Sequence, residues 1–213
     1  MSEKILQEIT DALMAGDRQT VATLTQRAVD EGLAIRDILD NGLITGMETI
    51  GRRFKTNEIF IPEVLIAAKA MHAGIDILQP HFLKSGIKPV GTVVIGTVKG
   101  DLHDIGKNIV SMMLKGACFD VHDLGIDVPV EKFVEAARKE GTHIVAMSSL
   151  LTTSMGAMRD TIDALKGAGI RDSVKVMVGG APVTEEFALS IGADGFARDA
   201  ATAVDRAKEL LKQ

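Results

Sequence analysis

Apolar residues recur at two different periods along this chain of 213 residues, and the change comes near residue 85. Before it the period is helical. Ile5, Ile9, Leu13 and Met14 share a stripe that Gly16 closes, and Asp17 can cap a second helix carrying Val21, Leu24, Ala28 and Val29. Ile35, Ile38, Leu39, Leu43, Met47 and Ile50 form a third stripe, interrupted by Gly42 and Gly46. Pro62 suits the first residue of a fourth helix that runs to about Phe82. Four antiparallel helices with short connections predict a small bundle over residues 1–85. Lys84 to Pro89 is polar and broken by Gly86 and Pro89, which marks a linker.

From residue 90 to 213 short apolar runs alternate with helical segments. Val93 to Gly96 predicts a strand, followed by a polar loop and a helix from about Lys107. Phe119 to Asp123 and Ile144 to Met147 predict the next two strands, with helices over Glu131 to Lys139 and Met158 to Leu165. Val174 to Val178 predicts a fourth strand ending at Gly179-Gly180, and a short fifth near Gly195-Phe196 precedes a last helix. Apolar strands alternating with helices imply a parallel sheet covered on both faces. The fold class is therefore α/β, with a four-helix cap ahead of a flavodoxin-like, Rossmann-like five-stranded sheet of order 2-1-3-4-5. In that order the winding reverses between strands 1 and 3, and ligands sit beyond the carboxyl ends of those strands.

Charge and cysteine content narrow the function classes. A net charge of −5 lacks the basic face of a general nucleic-acid binder and matches anionic membranes poorly. The single cysteine, Cys118, excludes an intramolecular disulfide framework and fits a reducing cytosol. No apolar run approaches the ~20 residues that span a bilayer, and Met1 to Met14 reads as an amphipathic helix and not a signal peptide. A cytoplasmic protein is expected.

The loop after strand 1 holds the strongest candidate chemistry. Asp101 and His103 are two residues apart, so in an extended loop both side chains can lie on one side. A carboxylate beside an imidazole fixes its tautomer and leaves the other nitrogen for a metal. Gly106 permits close approach of something bulky. The plain alternative is a helix-capping loop in which Asp104 caps and His103 is merely solvated. Zinc would need three or four ligands, and His72, His81, His122 and His143 show no such spacing relative to His103. A lone histidine suits a metal that arrives with its other ligands, as cobalt does in a corrin ring.

Ser148 to Ser154 after strand 3 carries five hydroxyl side chains in seven positions, suited to a mixed polar ligand and a proton relay, or to capping the next helix. Gly179-Gly180-Ala181-Pro182 after strand 4 is either an ordinary turn or space for a ligand. Together the three loops could line a slot for the tail of a nucleotide-like cofactor.

Asp101-x-His103-x-x-Gly106, Ser148-x-Leu150 and Gly179-Gly180, in that order, resemble the cobalamin-binding signature of the methyltransferase class, and the helices ahead of them resemble its cap. The pattern spans nearly the whole chain. It most resembles the small corrinoid proteins of anaerobic methyltransferase systems that act on methylamines, methanol, methoxylated aromatics or betaines. The cobalamin-binding module of methionine synthase is a larger relative.

The resemblance implies a base-off, His-on corrinoid, with the cofactor's own base displaced and His103 as axial cobalt ligand. It implies that Asp101 hydrogen-bonds His103 and that Ser154 extends the relay. Ser148, Leu150 and Thr152 would meet the displaced tail, and Gly179-Gly180 would leave room for its base. Phe54, Ile61 and Val64 match positions that shield the corrin's upper face. Phe60 competes with Phe54 for that role, and bundle core is the plain alternative for all of them. The function implied is a methyl carrier cycling between Co(I) and methyl-Co(III), with methylcobalamin as its loaded form, and not a stand-alone catalyst. Its partners would be a donor-specific methyltransferase, an acceptor methyltransferase and a reductive activator. The competing class is a B12-binding sensor, which the lack of a DNA-binding region, a basic patch or any Trp disfavours. A mutase module would need a large catalytic domain, and a phosphorelay receiver would want an Asp where Ser148 stands.

Overall fold

Helical periodicity in the first part of the chain resolves into α1 (Ser2–Met14), α2 (Arg18–Asp30), α3 (Ile35–Asp37), α4 (Thr45–Lys55) and α5 (Ile61–Ser85). The structure is a computed structural model that describes residues 2–85, 88–139 and 141–212. Asp17 caps α2, its carboxylate accepting the Thr20 N–H at 3.0 Å. Ile5, Ile9 and Leu13 of α1 are buried, as are Val21 and Ala28 of α2 and Val64, Met71 and Leu78 of α5.

The third predicted helix departs from a regular α-helix. Between α3 and α4 the chain continues as a π-helix, Ile38–Ile44, so that four helical runs make up this unit. The Thr10 hydroxyl donates to the Gly42 carbonyl at 2.7 Å. The Thr45 hydroxyl donates at 2.9 Å to the Asp40 carbonyl, which also accepts the Thr45 backbone N–H. The two glycines that break the apolar stripe are packing sites. A Cβ on Gly42 would lie 3.3 Å from Ile9, and one on Gly46 would lie 3.1 Å from Leu13.

The chain divides into two units, Met1–Lys88 with Gly116–Cys118, and Pro89–Lys115 with Phe119–Gln213. The predicted linker falls partly inside α5, which runs to Ser85. Gly86 and Ile87 lie outside the described residues.

In the second unit β1 (Thr92–Thr97), β2 (Asp120–Asp123), β3 (Thr142–Ser148), β4 (Lys175–Gly179) and β5 (Gly195–Ala197) form one sheet of order β2-β1-β3-β4-β5. All its pairings are parallel. The predicted order therefore holds, and the crossovers are α6 (Ile105–Gly116), α7 (Val130–Ala137), α8 (Gly156–Gly167) and α9 (Glu185–Ile191), with α10 (Ala200–Leu210) last. The helix α9 is an addition to the sequence reading. It has only seven residues, capped by the Thr184 hydroxyl and closed by Gly192 in the left-handed conformation. Val145, Met147, Val176 and Val178 pack with Phe133 of α7 and with Met158, Ile162 and Leu165 of α8 in one core. Register places Thr97, Ser148, Gly179 and Ala197 in a row across the carboxyl edge of the sheet. Among the described residues no helix is long and apolar enough to cross a membrane.

Candidate functional site

β1 ends at Thr97, and the loop that follows turns back over the sheet edge before α6 begins at Ile105. Gly100, at φ +84°, makes the turn without the cost a side chain would meet there. Asp101 then points inward and is completely buried, an arrangement an ionised carboxylate tolerates only with a full set of donors.

That set is present. Oδ1 accepts the His103 N–H at 3.0 Å and lies 2.7 Å from His103 Nδ1, which donates as its Nδ1–H tautomer. Oδ2 accepts the backbone N–H groups of Leu150 at 2.7 Å and Leu151 at 3.1 Å, and the Ser154 hydroxyl at 3.0 Å. Burial pushes the Asp101 carboxyl up. The His103 N–H and ring, the Leu150 N–H and the Ser154 hydroxyl outweigh it and hold the group well below the usual carboxylate range.

The hydroxyl-rich loop therefore serves the carboxylate and not the next helix. The residue preceding α8, Met155, has no side-chain cap, and the hydroxyls of Ser149 and Ser154 turn inward. Ser149 was missed by the sequence reading. It is fully buried, 2.7 Å from Ser154 Oγ, and its hydroxyl reaches Leu151 O at 3.0 Å and Asp101 Oδ2 at 3.4 Å. Only its place in the hydroxyl run could have flagged it. Ser148 is half-buried at the strand end, and Thr152 is exposed.

The loop after β2 was missed as well, and it braces the histidine loop from the other side. Pairing continues past the strand, with the Leu124 N–H donating to Ile95 O at 2.8 Å, Thr97 N–H to Gly125 O at 3.0 Å and Val128 N–H to Thr97 O at 3.0 Å. Asp127, at φ +49°, accepts the Gly100 N–H at 2.7 Å, and its own N–H donates to Asp101 O at 3.0 Å. The buried ammonium of Lys107 on α6 pairs with Asp123 at the end of β2.

Gly179 and Gly180 have a reason inside the chain. A Cβ on Gly179 would lie 2.7 Å from Ala197 O, and one on Gly180, at φ +130°, would lie 1.8 Å from Ser149 O. Gly106 is the opposite case. It sits in the first turn of α6, a Cβ there would meet nothing within 4 Å, and the chain itself does not require a glycine.

His103 is exposed on the loop after β1. Its side chain is 51% exposed although Nδ1 is engaged, which leaves Nε2 as the nitrogen open to a metal. Among the described residues no group of three or more His, Cys, Asp or Glu could hold a metal ion, so a metal here must bring its other ligands. Leu102, Ile105, Ile126, Leu150 and Leu151 are all exposed, and each belongs to a loop tied to Asp101 or His103 or adjoins it. Aliphatic side chains so placed favour a large flat ligand with an apolar face. The buried carboxylate, the half-exposed imidazole, the aliphatic collar and the open space at Gly106 thus fit a corrinoid. Of the sequence candidates in the helical unit, Phe54 is half-buried, Ile61 is exposed and Val64 is fully buried, so Val64 offers no surface to a ligand in this conformation. Phe60 is 63% exposed.

Residues 91–206 match a family described as B12 binding domain, and residues 5–79 match a second family with the same description. The chain is 45% identical over 211 residues to the dimethylamine corrinoid protein of Methanosarcina barkeri, covering 98% of each. Among solved structures it is similar to a cobalamin-binding protein from Desulfitobacterium hafniense (34% identity, TM-score 0.81, 96% of this chain and 98% of that one). It is also similar to a chain of the methanol:cobalamin methyltransferase complex of Methanosarcina barkeri (32% identity, TM-score 0.86, 98% of this chain and 80% of that one).

Proposed function

This chain belongs to the B12-binding corrinoid proteins of methylamine and methanol methyltransferase systems, and we propose that it carries methyl groups from a donor-specific methyltransferase to an acceptor methyltransferase. When bound, the corrinoid supplies a cobalt centre that takes up and gives away a methyl group as it cycles between Co(I) and methyl-Co(III).

The chain's own residues hold and steer that centre. His103 would hold the cobalt through Nε2, the base-off, His-on mode that the resemblance implies. Asp101 fixes the imidazole through Nδ1, and Ser154 and Ser149 hold Asp101 in turn. Exposed Leu102, Ile105, Ile126, Leu150 and Leu151 would offer the ring an apolar surface, and the open space at Gly106 would admit it to the first turn of α6. Ser148 and Thr152 would contact the displaced tail, beside Gly179-Gly180. In the helical unit Phe54, Ile61 and Val64, or Phe60 in place of Phe54, would shield the cofactor, and of these Phe60 and Ile61 are exposed. The carrier works in the cytoplasm and depends on a reductive activator to recover oxidised cobalt.

One observation carries this reading. A buried carboxylate spends one of its oxygens entirely on His103, holding the imidazole at 2.7 Å while half of the side chain stays exposed. The test is reconstitution with cobalamin of apoprotein labelled with heavy nitrogen at histidine, so that coupling to the labelled nitrogen is told from coupling to the cofactor's own base, with His103→Ala beside it. The wild type should show nitrogen coupling in the electron paramagnetic resonance spectrum of the Co(II) form and should accept methyl groups from a dimethylamine- or methanol-specific methyltransferase. The variant should lose the coupling. A His103→Ala protein with unaltered coupling defeats the ligand assignment, and absence of transfer with every methylamine and methanol donor enzyme defeats the carrier role.

A further inference from the structure

Asp101 fixes the imidazole ring of His103, but a ring is only as well placed as the backbone that bears it. The His103 backbone is held at both ends. Its N–H donates to Asp101 Oδ1 at 3.0 Å, and its carbonyl accepts the Thr97 hydroxyl at 2.8 Å. Thr97 is the last residue of β1, is completely buried, and lies six positions before His103. Its hydroxyl therefore spans the mouth of the loop that Gly100 turns and closes it onto the sheet.

Three features make Thr97 suited to this work. Its backbone is fixed on both sides, by Ser148 in β3 across the register and by the loop after β2 through Gly125 O and the Val128 N–H. Its β-branched side chain has a restricted χ1 in a strand, so the hydroxyl direction is set before anything binds. Its position is in the interior of the sheet, where valine or isoleucine would satisfy the strand equally well; β1 uses Val93, Val94 and Ile95 elsewhere. A hydroxyl here is unnecessary to the sheet and is used by His103.

We infer that Thr97 is a positioning residue for axial ligation, fixing the height of the His103 backbone above the sheet edge through a hydroxyl bond to its carbonyl. The inference rests on the reading of His103 as the cobalt ligand. It adds that the ligand's place is set from β1 as well as from Asp101. A displacement of even a few tenths of an ångström at the backbone is carried to Nε2, where a coordinate bond tolerates little error.

The experiment compares wild type, Thr97→Val, Thr97→Ala, Thr97→Ser and His103→Ala, each loaded with cobalamin. The protein is labelled with heavy nitrogen at histidine, the fraction of Co(II) protein coupled to that nitrogen is read by electron paramagnetic resonance, and folding is read by circular dichroism. Thr97→Val and Thr97→Ala should lower the ratio of His-on to His-off protein about five- to tenfold, the loss of one buried hydrogen bond. Thr97→Ser, which keeps the hydroxyl, should stay within about twofold of wild type. A wild-type ratio in both hydroxyl-free variants overturns the inference, and so does a Ser variant that behaves like the Val variant. Failure of the underlying ligand reading looks different: the wild type itself lacks the coupling, or His103→Ala retains it.

Discussion

Oδ1 of Asp101 receives both N–H groups of His103, the backbone one at 3.0 Å and the imidazole one at 2.7 Å, while Oδ2 receives the amides of the loop after β3. One carboxylate thus joins two loops that lie about fifty residues apart in sequence. An amide cannot replace it. In Asp101→Asn the new NH2 faces either the two donors of His103 or the amides of Leu150 and Leu151, donor against donor. The apoprotein should lose about 2–4 kcal/mol in urea unfolding. A midpoint equal to wild type would show that the loops are joined by other means.

The same carboxylate contributes to the acid sensitivity of the fold. Asp101 and Asp199 are both held below the ordinary carboxylate range. For Asp199 burial acts upward, and the N–H and hydroxyl of Thr202 together with Arg198 act downward and prevail. A folded value below the unfolded one means stability that is fully present above about pH 4 and is lost as pH falls through the lowered values. Melting temperatures of the apoprotein should be level from pH 7 to about pH 5 and fall steeply below about pH 4. In Asp199→Ala, which uncaps α10, the melt should drop by about 1 kcal/mol at neutral pH and less in acid. An equal drop at every pH would assign the effect to something other than the ionised cap.

Gly180→Ala should be among the most damaging single methyl additions to the domain. The new Cβ would strike the Ser149 carbonyl, and φ +130° is hostile to any side chain. A loss of about 3 kcal/mol or more is expected, with the loop after β3 displaced from Asp101. Chemical denaturation measures the first, and weakened nitrogen coupling in the loaded protein reports the second.

Ser149 and Ser154 share their hydrogen bonds, so their contributions should not add. Two hydroxyl protons serve Asp101 Oδ2, Leu151 O and the 2.7 Å contact between the serines. Each Ser→Ala variant should cost about 1 kcal/mol, and the double variant should cost less than the sum by about 0.5 kcal/mol or more. Strict additivity in a double-mutant cycle would mean that the serines act independently.

Much of this was legible in the chain. β1, β3 and β4 are apolar runs between turn signals, and their alternation with helices dictates the parallel order and the edge at which a ligand sits. Asp101 and His103 stand out by their place after β1 at the point where the winding reverses, since the same spacing recurs in the exposed pair of Asp120 and His122 with no ligand role assigned to it. What escaped was set by tertiary contact. Nothing local distinguishes Ser149 from Ser148; only the approach of Gly180 to its backbone and of Asp101 to its hydroxyl does. Leu102 and Ile105 look like ordinary loop and helix residues until they are found exposed beside His103. The π-helix between α3 and α4 accepts the Thr10 hydroxyl from another helix at Gly42 O, a contact no local pattern reveals, and α9 is too short to show a period. The reason for Gly179 and Gly180 also became visible only with the carbonyls of Ala197 and Ser149 in place.

The two borders of the sheet have a bearing on how this domain meets other proteins. On one side β2 is four residues long, Asp-Val-His-Asp; on the other β5 is three. A visiting strand would find too few unpaired amides to zip onto, and on β2 it would meet two aspartates. Under the proposed carrier role, partner enzymes would take hold of helix surfaces and loop crests, where side chains can diverge from one partner to the next while the barrier against strand addition stays intact.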